Sequence, residues 1–224
     1  MMDLSKSFEF FDPSQLKNSR IHIIGCGAIG STVAEQLVRY GIEQITLYDF
    51  DIVEEHNIAN QMFRRIDVGK PKTEALASML CDINPDLAKS LRIQGKYDKQ
   101  RLSGYVILCV DSIDLRRKIA TENRNNPYIK GMFDYRMRLT DAQHFAADWT
   151  DPTQVEEFIN TMQFSDDDAT AATPVSACNI EMSVVSTPRA IVSLGVANLL
   201  NLVKGLQPKS VILLDAFQCK IMAM

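Results

Sequence analysis

The 224-residue sequence has little histidine, tryptophan or cysteine: three, one and five residues respectively. The cysteines (Cys26, Cys81, Cys109, Cys178 and Cys219) are scattered, and no C-x-x-C pair exists. That removes the usual spacing of a structural zinc site. An odd, dispersed set reads as reduced thiols. Positive charge is not in excess either, since 24 Lys and Arg face 28 Asp and Glu for a net charge of −4. Nucleic-acid binding needs a basic face, so it is not expected. No apolar run approaches the roughly 20 residues of a membrane span. The opening MMDLSKSFEFFDPSQ lacks the apolar core of a secretory leader. A cytoplasmic protein without membrane or nucleic-acid partners is therefore expected.

What is present is an alternating pattern. Hydrophobic residues make up 46% of the chain, enough for a substantial core. Short β-branched runs at Ile21–Gly25, Gln44–Phe50, Leu91–Tyr97 and Tyr105–Asp111 read as strands. Amphipathic stretches at Ile29–Tyr40, Lys72–Cys81 and Leu115–Asn123 read as helices. In the first helix Ile29, Val33, Leu37 and Val38 share a face. Tyr128–Tyr135 and Ala142–Trp149 are expected strands, Gln154–Met162 a short helix and Arg189–Val203 a longer one. Val211–Phe217 is expected to close the sheet. The segment Ser165–Asn179 is rich in small and polar residues and is expected to be a mobile loop. The expected architecture is one α/β domain over residues 1–224. It is Rossmann-like, with a mostly parallel sheet, helices on both faces and antiparallel strands toward the C-terminal side.

Chemistry concentrates first at Gly25, Gly27 and Gly30, a G-x-G-x-x-G at a strand-to-helix junction. The first glycine permits a tight turn, the second lets a phosphate approach the backbone, and the third lets the helix pack close. Amides from Ala28 onward then face the phosphates at the positive end of the helix. A P-loop is excluded, because G-x-x-x-x-G-K-[ST] is absent. Asp49 ends the second strand where an acidic residue meets a ribose hydroxyl, and Asp51 alternates back to the same side. These residues suit NAD and ATP equally.

The stretch YDFDIVEEHNIANQMFRRIDVGKPKTEAL, Tyr48 to Leu76, separates the two. Asp49-Phe50-Asp51, His56-Asn57-Ile58-Ala59-Asn60-Gln61 and Val68-Gly69-Lys70-Pro71-Lys72 resemble the Asp-x-Asp, S-N-L-x-R-Q and V-G-x-P-K segments of the ThiF/MoeB family. CVDSIDLRRKI and STPRAIVSLGVANLLNLVKG extend the resemblance over most of the chain. This family of ubiquitin-activating-enzyme-like adenylyltransferases activates the C-terminal carboxylate of small ubiquitin-like or sulfur-carrier proteins with a Gly-Gly tail. The resemblance implies ATP and Mg as cofactors. It places Lys72 against the phosphates, Asp111 at the magnesium with Ser112 beside it, and Asn57, Asn60 and Gln61 at the nucleotide. It also implies a homodimer. Lys72 as a solvated helix residue, Asp111 as a helix cap and Asn57 as a plain N-cap are the structural alternatives.

Three departures from the family pattern stand out. Asn60 occupies the position of an arginine, with Arg64 or Arg65 about a turn on as either a substitute or a surface charge. No R-Y-x-R-Q opening precedes Arg20, and the two zinc-binding C-x-x-C pairs are missing. Cys178 falls where family members carry an acceptor cysteine, and is either an acyl acceptor or a packing residue. Asp134 and Arg136 in FDYRMR suit a structural ion pair or contact with a carrier tail. A catalytically degenerate scaffold subunit and an NAD-dependent oxidoreductase are the competing functions.

Overall fold

The computed structural model describes residues 2–176 and 182–224. Its centre is one eight-stranded sheet in the order β3-β2-β1-β4-β5-β6-β7-β8. The strands are β1 (Ile21–Ile24), β2 (Ile45–Tyr48), β3 (Arg92–Gln94), β4 (Gly104–Leu108), β5 (Ile129–Met137), β6 (Asp141–Asp148), β7 (Val211–Asp215) and β8 (Lys220–Ala223). Strands β1 to β5 pair in parallel and β6 to β8 antiparallel. The expected α/β Rossmann-like sheet with an antiparallel C-terminal side is the fold.

Alternation along the central strands decides which layer each residue joins. Ile21 and Ile23 of β1, with Tyr105 and Ile107 of β4, join a core built with α1 (Ala28–Arg39), α2 (Lys72–Ile83) and α6 (Ser186–Val203). Ile24, Val106 and Leu108 face the other side, where they meet Ile113 and Ile119 of α3 (Ile113–Glu122) and Phe158 of α4 (Pro152–Asn160). Every residue of β1, β2 and β4 is buried, as a strand covered on both faces requires. The expected face of α1 is correct: Ile29, Val33, Leu37 and Val38 are all buried. After β1 the chain builds outward to β2 and β3, then returns to β4 on the opposite flank. The crevice beyond the carboxyl ends of β1 and β4 is therefore the topological switch point.

Two expectations change. Val211–Phe217 does not close the sheet, because the chain turns at Cys219 (φ +53) and adds β8 outside β7. Part of the expected loop is helical: α5 (Asp166–Ala171) starts at Ser165, whose side chain accepts from the Asp168 amide while the Asp168 carboxylate accepts from the Ser165 amide. This reciprocal capping box was readable as Ser-x-x-Asp, but the abundance of small residues masks it. Cys178 lies outside the described residues.

Candidate nucleotide site

The glycine turn is built by close approaches that exclude any side chain. Gly25 has φ +95, and a Cβ there would lie 2.7 Å from the backbone carbon and oxygen of Cys109. A Cβ on Gly30 would lie 1.9 Å from the Gly25 carbonyl oxygen, so α1 can press against the turn only through a glycine. Gly27 is different. It is the N-cap of α1 with no side-chain cap, and a Cβ there would meet nothing within 4 Å. Open space thus lies over a helix end whose first amides have no side-chain acceptor, the arrangement that receives an anion.

Asp49 braces this turn. One carboxylate oxygen accepts from the Cys26 amide at 2.6 Å, and the other accepts from the Asp51 amide at 2.8 Å. Each oxygen keeps a lone pair for a further donor. Asp51 in turn pairs with Lys72: Nζ donates to the Asp51 carboxylate at 2.9 Å, and the Lys72 amide donates to the Asp51 carbonyl at 2.9 Å. The Lys72 side chain is 10% exposed and that of Asp51 50%. Lys72 is also the first residue of α2, where the helix dipole disfavours a cation. A largely buried ammonium at that place needs an anion. Asp51 is half in water and is the exchangeable partner.

Asp111 follows β4 and is exposed. Strands β2 and β4 flank β1, so their ends are about 10 Å apart. Lys72, held beside Asp51 after β2, and Asp111 after β4 thereby bracket the glycine turn. Among the described residues no cluster of three or more His, Cys, Asp or Glu side chains gathers. Asp111 alone suits magnesium, which takes one or two carboxylates and completes its shell with water and phosphate oxygens.

Ser112 caps α3, its hydroxyl accepting from the Leu115 amide. It also donates to Asp166 at 2.8 Å, and the Ile113 and Asp114 amides donate to the other Asp166 oxygen. Burial would raise the Asp166 pKa, but the hydrogen bonds from Ser112, Asp114 and Ile113 outweigh it and hold the carboxyl below its usual range. Asp166 therefore binds the start of α5 to the helix beside Asp111. Sequence reading missed this residue, because only the fold brings it to a helix end 52 positions away.

Asn57 is buried, and its side-chain oxygen accepts from the Glu54 amide, so it shapes the one-turn helix Glu55–Ala59. Asn60 Oδ1 and Gln61 Oε1 are buried without hydrogen-bond partners. Arg64 is not brought to the group. Its Nε donates to Asp67 at 2.9 Å and its Nη1 lies 3.5 Å from Asp82. Asp82 stands near the end of α2, about 15 Å along the helix from Lys72. Arg65 is exposed and pairs with Glu55.

The ion-pair reading of Asp134 and Arg136 is the one observed. Asp134 is fully buried, receives Arg136 Nε at 2.6 Å and also pairs with Arg116, a partner the sequence did not reveal. Arg136 further donates to Thr161 and lies 4.3 Å from the centre of the Phe145 ring. His22 and His144 are buried packing groups, with burial lowering their pKa values to about 4 and about 3. Burial pushes the Cys26 and Cys109 thiols up, so both are inert packing thiols.

Fold and site together define a doubly wound α/β domain of nucleotide-binding type. The chain belongs to the ThiF family, which it matches over residues 7–222. It is 41% identical over 73 residues to ubiquitin-like modifier-activating enzyme 5 of Arabidopsis thaliana, covering 33% of this chain and 17% of that one. It is 30% identical over 121 residues to molybdopterin-synthase adenylyltransferase of Escherichia coli, covering 51% of this chain and 48% of that one. The matched stretches thus span less than half of these relatives. Among solved structures, E. coli MccB superposes with a TM-score of 0.68 at 19% identity, covering 95% of this chain and 63% of that one. PaaA superposes with a TM-score of 0.67 at 17% identity, covering 95% and 65%. At these identities the likeness is one of fold.

Proposed function

We propose that the chain is an ATP-dependent adenylyltransferase that activates the C-terminal carboxylate of a small ubiquitin-like or sulfur-carrier protein with a Gly-Gly tail. A carboxylate oxygen of the carrier attacks the α-phosphorus. The bond from that phosphorus to the pyrophosphate oxygen breaks with its electron pair, leaving an acyl-adenylate and free pyrophosphate. Carboxylate and triphosphate repel one another, so the site must supply fixed positive charge. The observation that carries this reading is Lys72, largely buried at a helix start beside the open glycine turn and paired with the half-exposed Asp51. A triphosphate takes the place of Asp51 as the partner of the ammonium. Asp49 keeps acceptor capacity for the ribose, and Asp111 with Ser112 stands on the opposite flank.

Asp111 would hold a magnesium ion at the phosphates, and that ion would supply charge neutralisation. Gly25, Gly27, Ala28 and Gly30 form the phosphate cradle, lined further by Asn57, Asn60 and Gln61. The family relation, the named activities of the two curated relatives and a solved MccB complex with ATP support the assignment. A homodimer in the cytoplasm is the expected setting, and Cys178 is the candidate acceptor of the activated carboxyl.

Pyrophosphate–ATP exchange with a candidate carrier tests this directly. Carrier-dependent exchange is expected. ATP binding without exchange, given the correct carrier, would favour the scaffold reading that Asn60 motivates. Tight NAD binding with no ATP binding would overturn both.

A further inference from the structure

The charge balance of the site leaves a gap. Asp49, Asp51, Asp111 and Asp166 all stand around the switch point, against Lys72 as the cation just described. A nucleoside triphosphate adds several negative charges, which one magnesium and Lys72 offset only in part, so a second fixed cation would strengthen its binding. Most nearby cations are committed elsewhere. Arg64 and Lys70 pair with Asp67, Arg65 with Glu55, and Arg117 with Asp114. Arg116 and Arg136 are locked on Asp134.

Arg189 is not committed. It lies in the first turn of α6, is exposed, and its guanidinium Nη2 is 3.1 Å from Met62 Sδ. A thioether is a weak acceptor, and among the described residues no carboxylate pairs with this guanidinium. Its position follows from two further contacts. The Met62 amide donates to Ser31 Oγ at 3.3 Å, and Gln36 Nε2 donates to Ser193 Oγ at 3.0 Å. Helices α1 and α6 therefore run alongside in the same direction, with Ser193 beside Gln36 and Arg189, through Met62, beside Ser31. Ser31 lies in the first turn of α1, directly behind the glycine cradle. Asn60 and Gln61 directly precede Met62 in the chain, and their side-chain oxygens are among the buried polar atoms without a partner. An uncommitted guanidinium thus stands, through Met62, beside the first turn of α1.

We propose that Arg189 is a phosphate-binding residue of this site, delivering from α6 the guanidinium that the 55–61 segment lacks at Asn60. Arginine suits the role because its planar fork engages two phosphate oxygens at once. The inference rests on the ATP reading above and deepens it. The triphosphate is held between Lys72 on α2 and Arg189 on α6, so the approach of α6 to α1 is a condition of binding.

Titration calorimetry with ATP and with adenosine, alongside thermal melting, tests it. Arg189→Ala should weaken ATP binding about tenfold to a hundredfold, the loss of one charge-assisted contact. Adenosine binding and the melting temperature should stay unchanged, because the side chain is exposed and its contact among the described residues is the Met62 thioether. Placing Asn60→Arg in the Arg189→Ala background should restore ATP affinity by returning a guanidinium to the same rim. Unchanged ATP affinity in Arg189→Ala, or equal loss for ATP and adenosine, overturns the inference while leaving the ATP reading intact. A wild-type chain that binds no ATP overturns both.

Discussion

Replacing two glycines of the same turn by alanine should give opposite outcomes, and the structure sets the sizes. At Gly25 the backbone sits at φ +95, a conformation that costs an L-residue about 1–2 kcal/mol. The added Cβ would also press on the Cys109 carbonyl at 2.7 Å and the Val110 nitrogen at 2.9 Å. These are backbone atoms of the neighbouring strand end, unable to rotate away, and overpacking of that kind costs about 1–3 kcal/mol more. The sum, about 2–5 kcal/mol, is a large share of a typical domain stability. It corresponds to a fall in melting temperature of roughly 5–20 °C for a chain of this size.

At Gly27 the φ is −75 and no atom lies within 4 Å of a built Cβ. Loss of a glycine N-cap costs about 1 kcal/mol or less. The methyl would instead stand in the space above the α1 amides and obstruct a phosphate. Gly27→Ala should therefore melt near wild type yet bind ATP at least about tenfold more weakly, by steric exclusion from the helix end. Urea unfolding and ATP titration on both variants check the pair. A stable Gly25→Ala, or a Gly27→Ala that binds ATP as wild type does, refutes the assignment of the turn to strain at one glycine and ligand room at the other.

Lys72→Ala should lower pyrophosphate exchange by about 10²–10³, as for other preorganised charge donors, and change stability by about 1 kcal/mol or less, since Asp51 is half in water. An exchange rate within a few-fold of wild type would remove Lys72 from the site. Asp111→Asn should raise the magnesium concentration needed for half-maximal exchange without altering the melting curve; an unshifted magnesium titration would count against a metal role. Acid stability is set in part by two histidines. Burial lowers the folded pKa of His144 to about 3 and of His22 to about 4 from 6.5. The unfolded chain therefore binds more protons below pH 6.5, so stability is full above that value and falls as pH drops toward the folded values. By pH 5 each histidine removes about 2 kcal/mol. Urea unfolding at pH 7 and pH 5 reads this loss, and His144→Gln should recover close to half of it. A stability that is flat between those pH values would contradict the buried neutral state of both.

The parts legible in the sequence share one physical trait: each is encoded within a few residues. Burial on both faces makes β1, β2 and β4 continuous apolar runs, and helical periodicity put Ile29, Val33, Leu37 and Val38 on the buried face of α1. Gly25 and Gly30 were readable because a tight turn and a close helix approach tolerate no Cβ. The pairing of Asp51 with Lys72 was not readable from local pattern. The structure supplies its cause, the pairing of Ile52 with Pro71 that draws the two segments together.

Other features depend on which surfaces the folded chain presses together, and local pattern carries no record of that. Asp166 looked like one carboxylate in a polar loop until α5 placed it on the amides of α3. Arg64 pairs with Asp67 and reaches Asp82 because the chain after Gln61 runs to the far end of α2. Arg116 reaches Asp134 only because α3 lies across β5, and β8 exists only because β7 offers it an edge. Arg189 is 127 positions from Met62 in the chain, and packing of α6 against α1 brings the two together. Periodicity and turn chemistry are short-range and fix the elements. Pairs such as Arg116 with Asp134, or Asp166 with the α3 amides, are long-range and chosen by how those elements dock.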